Sequence, residues 1–205
     1  MKNLICFLFI FLLSMNLDVH ADSPLTSTDI SSAYKNHEIV IKASKSNGKL
    51  SVELIEYLLI PENSIDIKIA IINELSWDID GKINSLIFWQ YVKELFDYDD
   101  EQDFQKHAHG DHLLCMAYLK ALDNYHNVDK AIVYVDLALD QNKQSYTYNI
   151  INSLIKAQKE MDYDWCQVYL LTHKVRLNDN LNKDMKITAV NNIFQYMDLY
   201  KDNCK

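Results

Sequence analysis

Three glycines and two prolines are all that the 205-residue chain contains. Sheets, sandwiches and barrels reverse the chain every few residues, and those reversals lean on glycine at positive φ and on proline. So few of either leaves long elements joined by polar turns, which points to helices. The apolar residues agree. Ile83, Ile87, Tyr91 and Leu95 recur in steps of four, and Val190, Ile193, Phe194 and Met197 form a dense stripe. Both spacings match the helical period rather than strand alternation. We expect an all-α protein of about nine helices, with no strand.

The first residues read as a leader. Lys2 precedes an apolar run over 4–13, a length that suits a secretory signal better than a bilayer span, and Ala21 offers a small residue for cleavage. We expect residues 1–21 to be a signal peptide, with the mature chain starting at Asp22 in the periplasm or secreted. No later run is long enough to span a membrane, so no membrane association is expected after cleavage. Cleavage removes one Lys and one Asp, so the formal net charge stays at −9. Nucleic acids and anionic lipids require a basic footprint, which this chain lacks; a basic protein partner suits it better. Cys115, Cys166 and Cys204 follow the leader. An exported protein permits one disulfide with one thiol left over, and all three pairings are open.

Turn and cap residues divide the rest. Thr28 and Asp29 cap a helix running to about residue 43, with Ala33, His37, Val40 and Ile41 on one side. Helices over 50–59, 65–77 (capped by Ser64) and 83–96 follow, separated by Pro61 and by Asp80-Gly81. The acidic stretch 97–103 is a link between an N-terminal helical region, 22–97, and a C-terminal region, 98–205. The latter holds two paired helices over 111–140, then helices over 145–160, 164–177 and 182–200.

Within the first pair, Ala131 and Ala138 stand seven apart with Val135 between them, and Leu119 and Leu122 lie upstream where a preceding helix would pack. This pattern resembles a tetratricopeptide repeat, whose helices cross closely at small residues. Leu119 departs from it, because the family usually has a small residue there. A weaker copy follows: Ile150, Leu154, Cys166 and Leu170 align with Cys115, Leu119, Ala131 and Val135 at an offset of 35, with His173 in the place of Ala138. The resemblance implies antiparallel helical hairpins in an α-solenoid, closed by the last helix as a cap. It also implies a function in binding a protein or peptide without catalysis; the acidic charge, size and expected export would suit an immunity protein, inhibitor or adaptor. The groove of such arrays is lined by the first helix of each repeat. Carried over, that face comprises Met116, Lys120, Asp123 and Asn124, then Ile151, Ile155, Gln158 and Lys159.

Two further motifs carry chemistry. His107, His109, Asp111 and His112 match the HxHxDH pattern of the metallo-β-lactamase-like hydrolases. That resemblance implies zinc as cofactor, generating hydroxide, and is the alternative to a binding protein. In that family the motif follows an apolar strand in a glycine-rich fold. Here DYDDEQDFQK precedes it and a helix follows. We therefore expect Asp111 to cap a helix starting at His112. Residues 78–84 resemble the middle of an EF-hand loop through Asp78, Asp80 and Gly81, but Ser76 stands at the first ligand position and Ile87 where a glutamate would close the site. A polar turn with Gly81 at positive φ is expected instead. No GxSxG elbow, phosphate loop or Cys–His signature occurs.

Overall fold

Short polar side chains start several of the helices. Ser51 accepts a hydrogen bond from the Leu54 amide, Ser145 from that of Tyr148, Asp100 from those of Gln102 and Asp103, and Asp164 from those of Cys166 and Gln167. Each satisfies first-turn N–H groups that have no partner within the helix. The computed structural model describes residues 23–204; the expected leader lies outside them. Among the described residues are ten α-helices and no strand. They are α1 (Glu38–Ser44), α2 (Val52–Leu59), α3 (Ile65–Leu75), α4 (Asn84–Phe96) and α5 (Glu101–His107). Then come α6 (Gly110–Asp123), α7 (Asp129–Gln141), α8 (Tyr146–Glu160), α9 (Trp165–Arg176) and α10 (Ile187–Met197). No helix among them is long and apolar enough to cross a membrane.

Three elements depart from expectation, each for a tertiary reason. The helix expected from Thr28 to about residue 43 is broken into a 3-10 turn, Ser31–Tyr34, and α1, with His37 extended between them. Asn73 of α3 takes the amides of Ile30 and Ser31 at 2.9 Å each and donates to Thr28 O, so these backbone groups bond across the molecule instead of along a helix. The end of the acidic link is helical: Asp100 caps α5, whose Phe104 is wholly buried among Trp89, Tyr98 and Tyr134. The last helix starts at Ile187 rather than near 182, because the preceding segment is held by α8: Tyr146 N bonds Asn182 O, and Thr147 N bonds Asp184 Oδ1 at 2.8 Å. Ser64 precedes α3 as expected, but its hydroxyl goes to Asp66 rather than to the helix amides.

Twelve of the fourteen residues of α6 are buried. It packs against α2, α3 and α4 on one side and α7 and α8 on the other. A helix apolar all round needs such complete cover. Turns over 124–128 and 161–164 join α6 to α7 and α8 to α9, short enough to make antiparallel pairs, and α7 packs on α8. One cluster of buried side chains runs from Leu25 to Tyr200, so the core is continuous across position 97.

The second hairpin corrects the expected alignment. Helix α7 buries Ala131, Tyr134, Val135 and Ala138, and α9 buries Val168, Tyr169, Thr172 and Val175; Tyr134, Val135 and Ala138 stand 34 positions before Val168, Tyr169 and Thr172. Leu170, expected to match Val135, is instead 41 % exposed, and Thr172 beside His173 is buried. Thr172 fits a close crossing because its hydroxyl is satisfied locally on Tyr169 O. Cys166 is half-buried and bonded to Cys204, which ties the C-terminal 3-10 segment, Asp198–Asn203, to the start of α9; Cys115 is the free, buried thiol.

Candidate functional site

The turn between α3 and α4 closes on itself. Asp80 N bonds Asp78 Oδ1 and Gly81 N bonds Asp78 O, with Gly81 at a φ of 79° as expected. The turn then seats on the end of α6. Lys82 N donates to Asp123 O at 3.0 Å, Ser85 N donates to Asp123 Oδ2 at 2.6 Å, and a Cβ on Gly81 would approach Asp123 O to 3.0 Å. Burial pushes the Asp123 carboxyl above its usual range. The Lys82 ammonium turns back onto Leu75 O and Ser76 O.

This packing brings three turns to one end of the molecule: 78–83, 124–128 and 161–164. A cleft of about 550 Å3 opens between them, walled by Ile79, Tyr125, His126, Asp129, Lys159 and Tyr163. A second, of about 470 Å3, shares Ile79, Tyr125 and His126 and extends to Asp78, Asp80 and Lys82. A third, of about 210 Å3, continues through Asp123 and Asn124 to Lys120 and Lys130. Tyr125 is the floor, edge-on to Trp77 at 5.1 Å and tilted against His126 at 4.0 Å. Ile79 is 63 % exposed and Tyr163 81 %. Exposed Asp78, Asp80, Asp129 and Asp162 surround them. Of the nearby cations, Lys82 is engaged by backbone carbonyls and Lys159 lies 2.8 Å from Asp129. The rim is therefore acidic around two apolar projections.

The eight residues carried over from the repeat resemblance divide sharply. Met116, Ile151 and Ile155 are wholly buried, so they face neighbouring helices and cannot line an open groove; Asp123 is 8 % exposed and borders two of the clefts. The reason is that α2, α3 and α4 cover α6, and α6, α7 and α9 cover α8. Lys120, Asn124, Gln158 and Lys159 do reach the run of clefts. Ile79, Tyr125 and Tyr163 were missed; large apolar residues sitting within polar turns are the signal that marks Ile79 and Tyr163.

The histidine motif is pulled apart. His107 bonds Asp103 at 2.7 Å on the surface. His109, not Asp111, is the cap of α6, its Nδ1 accepting the Asp111 amide. Asp111 instead receives the wholly buried Lys68 ammonium at 2.7 Å and the Tyr148 hydroxyl. His112 is buried, with Nε2 against Leu59 O at 3.2 Å and Nδ1 without a partner. Among the described residues no three His, Cys, Asp or Glu side chains converge to hold a metal. The Asp111 carboxylate is committed to Lys68 and Tyr148, while the His109 and His112 rings meet edge to face at 5.9 Å.

A scan against protein-family models, a search of the curated proteins and a search of the solved structures each find no match.

Proposed function

We propose that the chain is an exported helical-repeat protein that binds another protein or peptide, and that it does so at the turn end of its hairpins. The carrying observation is the pair of exposed side chains, Ile79 and Tyr163, projecting from two different turns over one cleft of about 550 Å3. Exposed apolar groups set in a polar rim are how transient interfaces anchor their partners. The hairpins are tetratricopeptide-like, and the 34-residue spacing of three buried positions of α7 and α9 supports that reading. Binding here uses the ends of the repeats instead of a concave face. The carboxylates of Asp78, Asp80 and Asp162 and the net charge of −9 favour a basic partner segment carrying an apolar or aromatic side chain.

Equilibrium binding tests this with three fluorescent peptides that share one tryptophan and are flanked by lysines, glutamates or serines. The lysine peptide binds, and the Ile79→Asp/Tyr163→Asp double variant weakens it by about tenfold or more, as loss of a buried anchor does. Equal binding of all three peptides, or of wild type and variant, would overturn the proposal.

A further inference from the structure

A separate cleft of about 390 Å3 lies between the start of α8, the end of α9 and α10. Tyr146 lies at the opposite end of α8 from the partner cleft, about 22 Å away at 1.5 Å per residue. In a chain with 29 acidic residues, no Asp or Glu lines it. Its two ionisable cations are Arg176 and Lys183, whereas the clefts at the turn end all carry carboxylates. Met185, Val190 and Phe194 supply apolar walls.

Tyr146 lines the cleft and is 3 % exposed, and its hydroxyl is shut from water with no hydrogen-bond partner. A buried hydroxyl left unsatisfied is costly, so such a group marks a place where an acceptor is missing. Burial pushes this phenol up to about 12, against the pull of the Arg176 charge, so the hydroxyl keeps its proton and can donate. The Lys183 ammonium stands 5.8 Å from the centre of the Tyr146 ring; its acidic neighbour, Asp179, is 3.9 Å away and almost fully exposed. Arg176 is held in place by two bonds to Asp198 and lies over the Phe194 ring at 4.2 Å. Helix α10 also begins at the cleft, with no side chain capping its first turn, and the positive end of an eleven-residue helix favours an anion there.

We infer that this cleft binds a small amphipathic anion, its apolar body against Met185, Val190 and Phe194 and its anionic head beside Lys183 and the Tyr146 hydroxyl. The volume and the mixture of apolar walls with a few polar groups match small-molecule sites. In this assignment Lys183 supplies the attraction, since Asp198 already occupies Arg176.

Titration calorimetry of the disulfide-bonded protein tests it with decanoate, decyl phosphate, decanol and decylamine below their micelle-forming concentrations. Decanoate or decyl phosphate binds one to one, decanol binds about tenfold more weakly, and decylamine is weaker still. The tighter of the two anions identifies the head group as carboxylate or phosphate. Lys183→Glu reverses an exposed charge and lowers anion affinity by about tenfold or more while the melting temperature holds. Val190→Trp fills the cleft and removes binding, and Tyr146→Phe weakens the anions but not decanol. Decanol matching the anions, affinity unchanged in Lys183→Glu, or no saturable binding of either anion would overturn the inference.

Discussion

Lys68 brings an ammonium into the interior with no exposed side-chain surface, and its partner Asp111 is 13 % exposed. Taking one member of such a pair away strands the other charge, at a cost of about 3 kcal/mol or more. Lys68→Ala is therefore expected to lower the urea-unfolding free energy by about that amount, and a loss below about 1 kcal/mol, the level of a surface pair, would show the contact to be dispensable. His112 acts through pH. Burial holds its pKa below the ordinary value, so the unfolded chain takes up the proton more readily than the folded one. Its neutral form stabilises the fold above the unfolded value near 6.5, and that contribution drains away as pH falls from there toward the depressed folded value. Asp123 is shifted upward by burial and works in the opposite sense at lower pH. Melting temperatures between about pH 7 and 5 should fall in wild type and fall less in His112→Gln, which keeps a donor for Leu59 O but does not titrate. Parallel slopes in the two proteins would remove His112 from the account.

At the scale of elements, the second hairpin depends on what closes it. Cys166 at the first turn of α9 and Cys204 after the final 3-10 segment enclose a loop of sequence separation 38. A link over that span stabilises by about 2–4 kcal/mol, mainly through the unfolded chain. The Cys166→Ser/Cys204→Ser pair should lose that much in denaturant, with the C-terminal segment and α10 showing the largest rise in hydrogen exchange. Cys115 is buried in α6 and its thiol is pushed up to about 12, so it stays unreactive in the folded protein. Protein starting at Asp22 should show no reactive thiol when native, one when denatured and three when denatured and reduced. Any other count would contradict this pairing.

At the scale of the molecule, α6 decides the architecture. One side packs on α2, α3 and α4, and the other on α7 and α8. The Lys68–Asp111–Tyr148 chain joins α3, α6 and α8 through one carboxylate, and Asn73 joins the 28–31 segment to Tyr118 of α6. Regions before and after position 97 therefore share one core. Unfolding is expected as one transition, coincident by far-ultraviolet circular dichroism and tryptophan fluorescence. Two separated transitions would mean that the halves are independent.

Much of this was legible in the residues, and the reason is locality. Scarce glycine and proline and apolar steps of three and four act within one or two turns, so the sequence alone determined the all-α class, most helix positions and the positive φ of Gly81. What it left open depends on residues far apart in the chain. Apolar residues surround α6 on every side, so periodicity could not single out a groove face, and Met116 came out buried. Asp111 looks like a cap or a ligand until Lys68, 43 positions earlier, takes its charge. The breaking of the 28–43 helix needed Asn73, and the choice of Cys166 with Cys204 needed their Cα atoms brought to 4.7 Å. The candidate cleft is likewise made from three turns that only tertiary packing places together. Local chemistry set the helices, and the competition of distant groups for one another's charges and hydrogen bonds set everything they enclose.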